Sequence, residues 1–123
     1  MTWIMDAAHG LVRVRYTEPY TFEEWRDAID ALVADPTFLF RRQISVLVDR
    51  SSVGPPSETF TAAVAAHLAQ RPRAMRGRRI VFVVRDKESA AVAWQQALWC
   101  EDVGAVATVF RSQRDAEDWL RGL

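Results

Sequence analysis

The spacing of apolar and polar residues changes period several times along this chain, and each change marks an element. Val12, Val14 and Tyr16 alternate with Arg13 and Arg15, the period of a strand with one face exposed. The apolar stretch from Trp3 to Ala7 predicts a strand before it, and His9-Gly10 predicts a tight hairpin between the two, with Gly10 free to take positive φ. The period then becomes helical: Phe22, Trp25, Ile29, Leu32 and Val33 share one face, while acids and Arg26 fill the other. Thr21-Phe22-Glu23-Glu24 has the form of a capping box for that helix, and Asp35-Pro36 predicts its end.

Ile44 to Val48 is a short, almost wholly apolar run ending at Asp49, and Ile80 to Val84 is another. Such runs suit central parallel strands covered on both faces. Between them, Ser51 to Pro56 reads as a loop, Ser57 as the cap of a helix reaching about Gln70, and Arg71 to Arg79 as a basic connection. Asp86 predicts the cap of a helix through about Cys100. On it, Ala90, Ala93, Trp94, Ala97 and Leu98 are expected to face the sheet, with Val92, Gln96 and Trp99 on the opposite side. Ala105 to Phe110 reads as the last strand, and Ser112 opens a final helix with Ala116, Trp119, Leu120 and Leu123 on one face. Strands that alternate with helices imply parallel pairing through helical crossovers. The expectation is a single α/β domain over residues 1–123, with a five-stranded mixed, mostly parallel sheet and four helices.

Composition narrows the function classes. Half of the 123 residues are apolar, enough for one core. The single cysteine, Cys100, cannot form an internal disulfide, which suits a reducing cytoplasm. The longest apolar runs fall far short of the ~20 residues a membrane helix needs, and Met1 to Asp6 lacks the basic start of a signal peptide. Sixteen basic side chains balance sixteen acidic ones, so the excess that drives general nucleic-acid binding is missing and no nucleic-acid partner is expected. The run Arg71, Arg73, Arg76, Arg78, Arg79 reads as a solvated connection, or as a surface for an acidic partner or a lipid headgroup.

Enzyme signatures are not seen. No nucleophile elbow, phosphate loop or dinucleotide fingerprint occurs, and glycines number five. Neither histidine, His9 or His67, has Cys or Asp at metal-ligand spacing. No catalytic residue, cofactor or metal is therefore expected. His67 projects from the apolar stripe of its helix, where it lines a pocket or sits as a hydrogen-bonded core residue. Helical periodicity groups Trp25, Phe60, His67 and Trp94 as a candidate apolar pocket between sheet and helices. An outward Trp99, with Val92 and Gln96, is a candidate interface, including that of a homodimer, unless the following segment folds over it.

Several stretches together resemble a known family: Gly10-Leu11-Val12 to Tyr16, Thr21-Phe22-Glu23-Glu24-Trp25, Ile44 to Asp49, Val109-Phe110-Arg111 and Ala116-Glu117-Asp118-Trp119-Leu120. In order and length they are similar to STAS-like (SpoIIAA-like) domains, and more closely to the bacterial STAS-like proteins related to CRAL-TRIO lipid-binding domains. That resemblance implies a non-catalytic regulatory or binding module, in one of two versions. The CRAL-TRIO side implies an apolar small molecule or lipid as ligand. The SpoIIAA side implies a protein partner and a phosphorylated serine after the third strand, where an Asp-Ser-Ser-Gly pattern is usual. Here the loop reads Asp49-Arg50-Ser51-Ser52-Val53-Gly54, so Ser51 and Ser52 are the candidate phosphoacceptor or anion site and the pattern is interrupted. The ligand-binding version is preferred; a small enzyme is the third reading.

Overall fold

Alternation in the strands decides which side chains meet which helices. The computed structural model describes residues 1–122. Its five strands, β1 (Thr2–Asp6), β2 (Leu11–Arg15), β3 (Ser45–Arg50), β4 (Arg79–Val84) and β5 (Val106–Phe110), lie side by side in sequence order. β1 runs antiparallel to β2, and every later pair is parallel. The hairpin between β1 and β2 turns through a short 3₁₀ segment, Ala7–His9, and Gly10 closes it at φ 63° as its position requires.

Six α-helices accompany the sheet: α1 (Phe22–Ala34), α2 (Pro36–Phe40), α3 (Glu58–Ala69), α4 (Pro72–Met75), α5 (Lys87–Asp102) and α6 (Gln113–Leu120). The four expected helices are present as α1, α3, α5 and α6; α2 and α4 are additional. The reason is the same for both. Each begins with a proline, Pro36 or Pro72, that reads as a stop but stands in the first turn of a new helix, where a missing N–H costs nothing. Asp35 ends α1 and caps α2, its carboxylate accepting from the amides of Thr37 and Phe38. Three capping hydroxyls and one carboxylate start the longer helices as the sequence implies: Thr21, Ser57, Asp86 and Ser112 each accept from an amide three residues on.

The sequential strand order places the layers. Each parallel step from β2 to β5 moves in the same direction, and right-handed crossovers then put all the connecting helices on one face. That face carries Val12, Val14, Val46, Val48, Ile80 and Phe82, packed with Trp25, Ile29 and Leu32 of α1, Val64 of α3, and Ala93, Ala97 and Cys100 of α5. The reverse face carries Leu11, Leu47, Val81 and Val83, covered by Ala116, Trp119 and Leu120 of α6. Leu123 lies outside the described residues. β3 and β4 are thus covered on both faces, as their continuous apolar runs imply. Towards β1 the reverse face is open, with Ile4 exposed.

α5 is rotated relative to the expected orientation. Ser89, Ala93, Gln96, Ala97 and Cys100 are its buried residues, while Trp94 and Leu98 are 47% and 58% exposed. Small side chains let the helix approach the sheet closely, and that fit outweighs the larger apolar area of Trp94 and Leu98. No helix among the described residues is long and apolar enough to cross a membrane.

The basic stretch before β4 is not a uniform solvated connection. Arg78 is buried, with Nε donating to the Ala74 carbonyl at 2.8 Å and Nη1 to those of Arg41 and Ile44, each at 3.1 Å. Its guanidinium also lies 3.6 Å from the Phe38 ring centroid and reaches the Phe38 carbonyl. It ties α2, α4 and the segment before β3 together. Burial, and secondarily the charge of Arg42, lowers its pKa to about 10. Arg71 pairs with Asp30 at 3.0 Å, and Arg79 lies over the Trp119 ring at 4.2 Å.

Candidate functional site

In β3 the residues Val46, Val48 and Arg50 share a parity and therefore a face. The strand carries Arg50 into the core with them, and Arg50 is only 2% exposed. In α5, Gln96 falls on the same stripe as Ala93, Ala97 and Cys100 and is also 2% exposed. Both line a cavity of about 50 Å³ between the sheet and α1, α3 and α5. Its remaining walls are apolar for the most part: Val14, Val46, Val48 and Ile80 from the sheet, Trp25 and Ile29 from α1, and Val64 from α3. Leu68, near the end of α3, is the one lining residue that is not buried.

Four polar atoms at this cavity have no hydrogen-bond partner among the described residues. Arg50 Nε and Nη1 and both terminal atoms of Gln96 are buried and make no hydrogen bond. Arg50 has no acidic partner within 4 Å among the described residues; its guanidinium lies 4.9 Å from the Tyr16 ring centroid and 5.5 Å from that of Phe82. Cation–π contacts contribute about 0.5–2 kcal/mol each, against an effective penalty of several kcal/mol for a buried ion. Burial pushes the Tyr16 phenol above its ordinary 10.0, although the Arg50 charge pulls the other way. Burial likewise pushes the Cys100 thiol up to about 11 despite Arg50, which disfavours the thiolate near neutral pH.

The sequence-derived pocket residues divide. Trp25 lines the cavity. Phe60 and His67 stand behind it, edge-on to the Trp25 ring at 6.4 and 5.5 Å. Tyr20 extends this aromatic layer, 5.2 Å from Phe60 and 5.1 Å from Tyr16. Trp94 is turned away on the outer surface of α5 and does not line the cavity. His67 is held from α1: its Nε2 lies 2.8 Å from Asp30 Oδ1. Burial alone would raise the Asp30 carboxyl, but the His67 hydrogen bond and the charges of His67 and Arg71 outweigh it and hold the group below 3.8.

Ser51 and Ser52 lie exposed in the loop after β3. The Ser51 hydroxyl donates to Asp49 Oδ1 at 2.5 Å, and its amide donates to the same oxygen at 2.9 Å. Val92 and Trp99 border a surface groove between α3 and α5, with Pro56, Thr61, Ala62 and Ala65. Gln96 was expected beside them on the outer side; it is buried because the small residues on either side of it draw that face of α5 onto the sheet.

Arg50 and Gln96 as cavity groups were missed from sequence. Strand alternation did carry the signal for Arg50, two residues beyond Val48. For Gln96 the spacing of Ala93, Gln96, Ala97 and Cys100 carried it, masked by the larger Trp94 and Leu98. Among the described residues no group of three His, Cys, Asp or Glu side chains is placed to hold a metal ion. No family model matches the chain, and neither a curated protein nor a solved structure matches it.

Proposed function

We propose that this domain is a non-catalytic, STAS-like binding module that holds a small molecule in the cavity between the sheet and α1, α3 and α5. One observation carries the reading: a cavity inside an otherwise packed core presents two buried polar side chains, Arg50 and Gln96, with atoms that no group among the described residues satisfies. Buried polar groups are normally paired, and unpaired ones beside a cavity point to an occupant: water, an ion or a small molecule. The volume sets the scale of the ligand. About 50 Å³ is well below the roughly 150 Å³ of a cavity that takes benzene, so the ligand is a small molecule rather than a lipid chain.

The non-catalytic part of the reading rests on the groups around the cavity. Cys100 is held as a thiol, His67 is engaged by Asp30, and no carboxylate lines the walls among the described residues. The STAS-like part rests on an antiparallel first pair followed by parallel strands with helical crossovers. A phosphorylation switch at Ser51 or Ser52 is the weaker version, because a phosphate on Ser51 would meet the Asp49 carboxylate that now accepts its hydroxyl.

Xenon is a direct probe of the cavity. Its ¹²⁹Xe resonance is expected to shift saturably in the presence of wild type and to lose that shift with Val64→Phe, which fills the space. A wild type that gives no saturable shift rejects the reading. Native mass spectra of freshly purified protein, taken before and after denaturation, would then give the mass of any retained ligand.

A further inference from the structure

The same molecule contains two buried arginines, and they differ in one respect. Arg78 directs its donors to backbone carbonyls of Phe38, Arg41, Ile44 and Ala74. That is how a guanidinium is buried when its purpose is to hold a fold together. Arg50 is as deeply buried and has no such set of carbonyls: Nε and Nη1 have no hydrogen-bond partner among the described residues, and the rings of Tyr16 and Phe82 stand beside it. Arginine stays charged in a protein interior, so the cavity contains a positive charge with no acidic side chain within 4 Å among the described residues.

We infer that the cavity is a site for a short monocarboxylate anion, its carboxylate held by Arg50 and the Gln96 amide and its alkyl end against Val14, Val46 and Ile80. This rests on the small-molecule reading above and names the ligand class. The charge excludes cations and makes a neutral occupant a poor answer to Arg50. A phosphate brings more charge and more acceptor oxygens than one guanidinium and one amide satisfy, and the walls supply few other donors. A carboxylate brings one charge and two acceptor oxygens, one to accept from a free guanidinium N–H of Arg50 and one from the Gln96 NH₂. The space of about 50 Å³ is about a third of the roughly 150 Å³ cavity that takes benzene, so it suits only a ligand of a few heavy atoms, the scale of acetate. Leu68, the partly exposed wall residue, marks the side on which the cavity lies nearest to solvent.

Acetate is the probe, with acetamide and sodium chloride at matched ionic strength as controls. Acetate is expected to raise the melting temperature saturably and to move the Arg50 Nε–Hε resonance, while acetamide and chloride do neither. Arg50→Met is expected to weaken acetate binding at least tenfold and to leave the xenon shift in place. Arg50→Lys, which keeps the charge with a different donor geometry, is expected to retain part of the acetate response and serves as the second variant if Arg50→Met does not fold. Xenon entry with no acetate response would overturn the carboxylate assignment and leave the small-molecule reading standing. Failure of both probes would overturn both. An acetate response unchanged in Arg50→Met, or equalled by acetamide or chloride, would show that the anion is not held where we place it.

Discussion

Arg50 and Arg78 are the same residue type at nearly the same burial, and their surroundings predict opposite effects of removing them. A buried ion without a partner carries an effective penalty of several kcal/mol, which an apolar side chain of similar volume does not. Arg50→Met is therefore expected to melt several degrees above wild type in ligand-free buffer. Arg78→Met strands carbonyls of α2, α4 and the segment before β3, and unsatisfied buried groups cost about 1–3 kcal/mol each. It is expected to lose at least about 3 kcal/mol in urea unfolding. Equal losses for the two variants would mean that Arg50 is a structural residue like Arg78, and the cavity argument would fall with it. A group that weakens the fold and faces a cavity is what a binding site retains at the expense of stability.

At the scale of elements, α5 shows packing geometry prevailing over hydrophobicity. Ala93 and Ala97 are fully buried against the sheet, while the larger Trp94 and Leu98 face outward. A helix seated this closely has no room for added volume. Ala97→Leu is expected to destabilise by about 1–3 kcal/mol through overpacking, whereas Leu98→Ala on the outer face should stay within about 0.5 kcal/mol of wild type. Denaturant unfolding of the two variants decides it: a costly Leu98→Ala together with a neutral Ala97→Leu would mean that α5 is turned the other way. The same orientation brings Gln96 to the cavity, so this element-level test also bears on the site. α2 and α4 teach a related lesson, since the prolines that end one helical pattern begin another.

For the whole molecule, the sequential strand order has an unequal consequence for the two faces. Three crossovers place α1 to α5 on one side and leave the other to α6 alone. α6 is held by Ala116 and Trp119 against Leu47, Val81 and Val83, by Arg79 stacked on Trp119, and by the 2.7 Å pair of Arg13 with Glu117. Trp119→Ala is expected to loosen this cover, lowering stability by about 1–3 kcal/mol and raising binding of a dye that reports exposed apolar surface, such as ANS. Because the cavity lies on the opposite face, the acetate response should survive this variant at temperatures where it remains folded.

The sequence by itself determined most elements and their starts. Local patterns suffice for these: alternation for β2, the cap at Thr21, the apolar runs of β3 and β4, and the serine and aspartate caps of α3, α5 and α6. It also implied one α/β domain with a mixed sheet, because strands alternating with helices have few ways to pair. Only the tertiary structure decided how α5 is turned and that Arg50 and Gln96 meet in one cavity. It also decided that Arg78 is a structural tie rather than part of a solvated basic run. These outcomes depend on which backbone carbonyls, rings and small residues come together from segments distant along the chain. A side chain's period along its own element records which neighbours share its face. It does not record what stands opposite, and for a buried charge the opposite group decides whether it holds the fold or awaits a ligand.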